Sequence, residues 1–160
     1  MKIRVVSQQW FREITWGPDP VPVYQRPDSA FWRDNNFISI RHSAETDPCC
    51  AVPTAGGNIL KLRFDDAVED PDGTLVLFDA ELAGKIVDFI RRIDTGRTLF
   101  VNCGAGISRS GAVGEVLNDY FNKYPGSNAA DDEYFRRMNR HIQGNPLVRR
   151  ILREALFGRF

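Results

Sequence analysis

The sequence predicts a three-layer α/β domain, with a mixed, mostly parallel central sheet carrying helices on both sides. Three observations lead there. Apolar runs of strand length recur at 36–41, 59–64 and 99–101. An amphipathic helical stripe over 80–93 separates the last two, the order of a right-handed strand–helix–strand crossover. A tight, glycine-bearing turn then leads the last strand into a second helical pattern.

The elements follow in order. Residues 2–6 (Lys-Ile-Arg-Val-Val) read as a first strand. Residues 8–36 hold all three tryptophans, several prolines and mixed charge with little periodicity, so an irregular segment packed on the domain is expected. Its Trp10, Phe11, Trp16, Phe31 and Trp32 suit ordinary burial better than a substrate rim. Asn36–Arg41 reads as a second strand, followed by His42, which has no ligand set around it. Cys49 and Cys50 fall in a loop before Pro53. Ile59–Asp66 is a strand signal that puts Leu60, Leu62 and Phe64 on one face and ends in two carboxylates.

A loop through Asp70-Pro71-Asp72-Gly73 leads to Asp79, a natural N-cap. The helix behind it, 80–93, carries Leu82, Ala83, Ile86, Val87, Ile90 and Ile93 on its buried face and ends at Asp94-Thr95-Gly96. After the 99–102 strand, a helix from Ser110 runs to near Tyr124. Asp131 or Asp132 is expected to cap the next helix, and Asn145 to cap a last one with Pro146 at its first position. The arginines between 136 and 153 read as solvated faces of these helices, in preference to a nucleic-acid patch.

The bounds are those of one domain spanning 1–160. Twenty-one basic and twenty-one acidic residues give a formal net charge of +0, so no global field argues for nucleic acid. No apolar run approaches membrane-spanning length, and the N-terminal stretch lacks a signal-peptide core. Three cysteines do not suggest a disulfide framework, and none has metal-site spacing; a reducing, cytoplasmic setting is expected.

The chemistry concentrates in residues 98–114 (Thr-Leu-Phe-Val-Asn-Cys-Gly-Ala-Gly-Ile-Ser-Arg-Ser-Gly-Ala-Val-Gly). Cys103 ends the strand. A turn that feeds a helix directs several backbone N–H groups into one concavity, a cradle for a tetrahedral oxyanion. Gly104 and Gly106 permit that turn and let a ligand approach. The same field favours a Cys103 thiolate, since thiols near helix N-termini and cations ionise below about 8.5. Arg109 can grip two phosphate oxygens through its planar fork. Ser110 is placed to donate to the sulfur. A free cysteine is usually an inert buried thiol. Here anion cradle, nucleophile and clamp coincide, which favours covalent catalysis.

Cys103-Gly104-Ala105-Gly106-Ile107-Ser108-Arg109-Ser110 resembles the Cys-x5-Arg-Ser/Thr signature of the protein tyrosine phosphatase superfamily. The wording is closest to small dual-specificity-like phosphatases, including compact bacterial ones. The resemblance covers residues 35–158 by order of elements. It implies a dual-specificity phosphatase-like fold and hydrolysis of a phosphate monoester through a phosphocysteine intermediate, without metal or other cofactor. It implies a phosphorylated protein or small phosphate ester as substrate. The family has His before the nucleophile, whereas this chain has Asn102. Its inositide phosphatases often carry Lys inside the loop, and Gly104 to Ser108 has none.

Phosphate ester cleavage needs an acid for the leaving oxygen and then a base for water. Carboxyl ends of parallel strands converge on ligand sites, so Asp65 and Asp66 are expected at the rim beside Cys103. Matching strand to strand against the family favours Asp66, although it lies slightly further from Cys103 than the family spacing; Asp65, Asp70 and Asp72 remain candidates. An ionised Cys103 and a protonated Asp66 together predict a bell-shaped, mildly acidic rate optimum. Alternatives are a phosphate-binding module with little turnover, an RNA 5′-phosphatase, and thiol redox chemistry with Cys49 or Cys50 resolving an oxidised Cys103.

Overall fold

The structure is a computed structural model and describes residues 1–44, 52–53, 56–124 and 128–158. Four strands, β1 (Ile3–Ser7), β2 (Asn36–Arg41), β3 (Ile59–Arg63) and β4 (Leu99–Cys103), form one sheet in the order β1-β4-β2-β3. Every pairing is parallel, so the expected mixed sheet is wholly parallel among the described residues. The first strand lies one residue later than the sequence suggests, because Ser7 still pairs with Cys103.

Period-two alternation along the strands builds two cores. Ile3, Val5, Ile38, Ile40, Leu62, Leu99, Val101 and Cys103 point into one, beneath α3 (Ala80–Arg92), α4 (Arg109–Asn118), α5 (Ala129–Met138) and α6 (Pro146–Phe157). Val6, Phe37 and Phe100 point into the other. There they meet α1 (Gln8–Glu13), α2 (Ala30–Asp34) and the 3₁₀ turn Val23–Gln25. The segment expected to be irregular is therefore partly helical. Phe11, Phe31 and Trp32 are buried in it as ordinary core, Trp10 stacks on Phe100, and Trp16 stays 44% exposed. Both helices are capped locally, Ser7 accepting from Trp10 N–H and Ser29 from Phe31 N–H.

Asp79 caps α3 by accepting from Leu82 N–H at 2.9 Å. Asn145 caps α6, accepting from Leu147 and Val148 N–H with Pro146 beside it. Helix α5 begins earlier than expected: Asn128 is its cap, accepting from Asp131 N–H, and Asp131 and Asp132 occupy the favourable first turn instead. The helix after the turn starts at Arg109 and changes after Asn118 into a π-helical turn, Asp119–Lys123. Gly114 lets α4 close on β1, since a Cβ there would stand 2.5 Å from Val5 Cγ2. Among the described residues, no helix is long and apolar enough to cross a membrane.

Strand β1 is a sheet edge, and the chain after α5 covers it. Asn139 Oδ1 accepts from Val5 N–H at 2.7 Å, and its Nδ2 donates to Ile3 O at 3.1 Å. His141 Nε2 lies 3.1 Å from Val5 O. Asn139→Ala would leave two buried backbone groups unmet, each costing about 1–3 kcal/mol. The expected loss is about 2 kcal/mol or more, read from the midpoint of urea unfolding.

Candidate active site

Strand alternation delivers Cys103 to the helical side of the sheet, in line with Leu99 and Val101. Its side chain is only 2% exposed, yet it is not sealed among hydrocarbon. Ser110 Oγ lies 3.1 Å from the sulfur. Burial opposes ionisation, but the Ser110 hydroxyl, the Ser110 and Ile107 N–H groups and the Arg109 charge outweigh it. The thiol is held below its ordinary value.

Residues 104–108 fold as a tight turn with its carbonyls tied from outside. Gln8 N–H donates to Gly104 O at 3.1 Å, Gln143 N–H to Ile107 O at 3.0 Å, and Asn145 N–H to Ser108 O at 3.0 Å. The amides that reach the sulfur are those of Ile107 and Ser110. Gly106 has φ +70°, and a Cβ there would stand 2.4 Å from Val6 C, so only glycine fits. Gly104, Ala105 and Ile107 are exposed, Ser108 is half-buried and Ser110 is fully buried at the start of α4.

Arg109 returns across this turn. Its Nη1 donates to Phe64 O at 2.9 Å, which anchors the guanidinium to the end of β3. A Cβ on Gly104 would be 3.9 Å from Nη2, so the cation lies beside the first residue after Cys103. Its buried Nε has no partner among the described residues. A buried, uncommitted guanidinium donor beside this turn fits a phosphate oxygen.

The two neighbouring carboxylates part company. Asp65 is buried and turned away from the loop: it accepts from Ser43 N–H and Oγ and from Val76 N–H, and His42 Nε2 lies 3.0 Å away. Burial alone would raise its pKa, but these hydrogen bonds and His42 bring it from 3.8 down to about 2. Asp65 therefore knits two loops together as a permanent anion, and His42 is its partner.

Asp66 is exposed and meets the loop. Its Oδ1 accepts from Ser108 Oγ at 2.8 Å and from Asn145 Nδ2 at 2.9 Å. Asp70 folds back on Thr74 and Leu75 N–H as a turn former, and Asp72 is exposed in that turn. Cys49 and Cys50 lie outside the described residues.

Asn145 is the residue that sequence reasoning undervalued. It reads as a helix cap, which it is, but the same side chain also donates to Asp66 Oδ1 and Ala67 O, while its N–H holds Ser108 O. Only its place directly after the turn-rich 139–144 stretch hints at a second duty. Phe64, the acceptor for Arg109, carries no signal because it acts through its carbonyl.

No protein-family model matches the sequence, and no curated protein is similar to it at a significant level. Solved structures are. PTP-2 phosphatase from Cydia pomonella, 13% identical, superposes with a TM-score of 0.53 over 94% of this chain and 83% of its own. The human tyrosine phosphatase-like serine/threonine/tyrosine-interacting protein, 18% identical, does so with a TM-score of 0.50 over 85% and 82%. At these identities the likeness is one of fold. The chain has the parallel α/β architecture of the tyrosine and dual-specificity phosphatase-like proteins.

Two outcomes follow for this site. The Asp65 carboxylate, depressed from 3.8 to about 2, stabilises the fold above pH 3.8, and that contribution fades as pH falls toward 2. Asp65→Asn should cost about 2 kcal/mol at neutral pH, with the gap to wild type shrinking on acidification in urea unfolding at a series of pH values. Ser110→Ala should move the pH midpoint of Cys103 alkylation by iodoacetamide upward, since the hydroxyl supports the thiolate. An unchanged midpoint would remove Ser110 from the site.

Proposed function

We propose that the chain, as one domain over 1–160 working in the cytoplasm, is a cysteine-dependent phosphate monoester hydrolase of the protein tyrosine or dual-specificity phosphatase type. The observation that carries this reading is a Cys103 thiol held below its ordinary pKa by Ser110, the Ile107 and Ser110 amides and Arg109, beside an Arg109 Nε with no partner among the described residues. The neighbours of the same fold include one named as a phosphatase, which agrees with the reading.

In the proposed reaction the Cys103 thiolate attacks phosphorus in line with the ester oxygen. An S–P bond forms as the P–O bond breaks. The amides of Gly104, Ala105, Gly106, Ile107, Ser108 and Arg109, with the Arg109 guanidinium, hold the three equatorial oxygens where charge develops. Asp66 gives its proton to the departing alkoxide, leaving an alcohol and a phosphocysteine. It then takes a proton from the water that attacks phosphorus. The S–P bond breaks, inorganic phosphate departs, and Ser110 donates to the returning thiolate. Asn145 and Ser108 aim the Asp66 carboxylate at the loop mouth throughout. No step calls for a metal or another cofactor.

The substrate class is a phosphorylated protein or a small phosphate ester. A loop without lysine favours a monoester that offers one phosphate to the cradle over a phosphoinositide.

The test is a hydrolysis panel with an aryl phosphate and phosphopeptides. Cys103→Ser should abolish turnover while keeping phosphate binding. Arg109→Lys should lower kcat/KM by about 10²–10³, because the bidentate fork is lost. Asp66→Asn should lower kcat by about 10²-fold and remove the alkaline limb of the pH–rate profile, whereas Asp65→Asn should leave that limb in place. Wild-type binding of phosphate without hydrolysis of any member of the panel would make the chain a phosphate-binding module instead.

A further inference from the structure

Helices α4, α5 and α6, with the π-helical turn between them, enclose an open cleft of about 440 Å³ that the proposed chemistry does not use. Its walls carry four cations, Lys123, Arg136, Arg140 and Arg149, against two carboxylates, Glu115 and Asp119. Both carboxylates are already engaged. Glu115 Oε2 accepts from Arg149 Nη2 at 2.9 Å. Asp119 accepts from Arg153 at 2.6 Å, and Lys123 pairs with it at 2.9 Å. Arg136 is held by Asp132 at 3.2 Å. Arg140 is exposed and makes no hydrogen bond or ion pair among the described residues. The Nε of Arg149 is buried and has no acceptor among them.

A concave surface with a surplus of cations attracts anions, and guanidinium groups suit a phosphate oxyanion better than a point charge does. The lining is also wired to the phosphate loop. Ile142, Gln143 and Gly144 line the cleft, and Gln143 N–H donates to Ile107 O. Gly144 is pressed between helix and ion pair: a Cβ there would stand 3.0 Å from Ala112 Cα, 3.0 Å from Arg149 Nη2 and 3.1 Å from Glu115 Oε2. An anion that draws Arg149 off Glu115 would act directly on that backbone.

We infer that this cleft is a second oxyanion site, which takes a phosphate group on Arg140 and Arg149 and bears on the phosphate loop through Gln143–Asn145. The binding half stands on the cleft alone; the effect on turnover rests on the proposed phosphatase activity. The phosphate is either the free ion, which is also the product of that reaction, or a phosphoryl group carried by a peptide.

The experiment titrates inorganic phosphate into the full chain carrying Arg109→Met, which disables the loop cradle, and follows backbone amide shifts. Saturable shifts at Gln143 and Gly144 are expected, with affinity reduced about tenfold when Arg140→Ala is added, the scale of one charge-assisted contact. In the chain with Arg109 intact, Arg140→Ala should weaken one of two phosphate-binding events by the same factor and leave the other unchanged. A second arm uses a phosphoserine peptide; shifts with the peptide alone would assign the site to carried phosphate. No saturable shift with either probe, or a curve unmoved by Arg140→Ala, overturns the site. Steady-state turnover of an aryl phosphate then tests the coupling. Added phosphate should change kcat in the wild type and only compete with substrate in Arg140→Ala; identical inhibition patterns would refute the coupling. Absence of any turnover with the binding intact would fault the phosphatase reading and leave the second site standing.

Discussion

Three outward hydrogen bonds decide what residues 103–109 can do. The carbonyls of Gly104, Ile107 and Ser108 are held by Gln8, Gln143 and Asn145, residues that come from opposite ends of the chain. The turn is thus braced by how β1 and the 139–145 stretch pack around it. Gly106 is the sequence requirement that lets β1 come close enough, and Gly114 does the same within α4.

An anion at that turn must be stabilised against burial. A sulfur only 2% exposed would stay protonated in a purely apolar setting. Two backbone amides, one hydroxyl and a guanidinium work against that preference and lower the thiol's pKa, with Asn102 as the residue before it. Asp65 shows the same physics put to structural use. Its charge is satisfied by Ser43, Val76 and His42 and serves to fasten loops, while its chain neighbour Asp66 is left at the surface beside Ser108. The two adjacent carboxylates thus have different partners, Asp65 among the loops and Asp66 at Ser108 and Asn145.

Much of this was legible in the sequence. The apolar run at 99–101, the glycines of the turn, Arg109 and Ser110 announce a strand, an anion cradle and a helix start through local chemistry alone. Asn36–Arg41 and the Asn145-Pro146 cap are equally local and fall where expected. What stayed hidden depends on distance. The short helices within 8–34 exist because Phe11, Phe31 and Trp32 pack against Phe37 and Phe100, contacts that no periodicity encodes. Asn128 displaces Asp131 and Asp132 as a cap because Asn and Asp both suit that position and the two aspartates also suit the first turn. The contacts that bring Asp66 to the loop, from Ser108 and Asn145, join residues 42 and 79 apart.

The central claim is that Cys103 becomes covalently phosphorylated at this turn. Rapid acid quenching of an Asp66→Asn reaction with an aryl phosphate, followed by peptide mass analysis, tests it most directly, because loss of the base for water slows hydrolysis of the intermediate. One phosphoryl group on the peptide bearing Cys103, absent when Cys103→Ser is added, is the predicted result. Aryl phosphate turned over with no phosphoryl group ever found on that peptide would contradict the account.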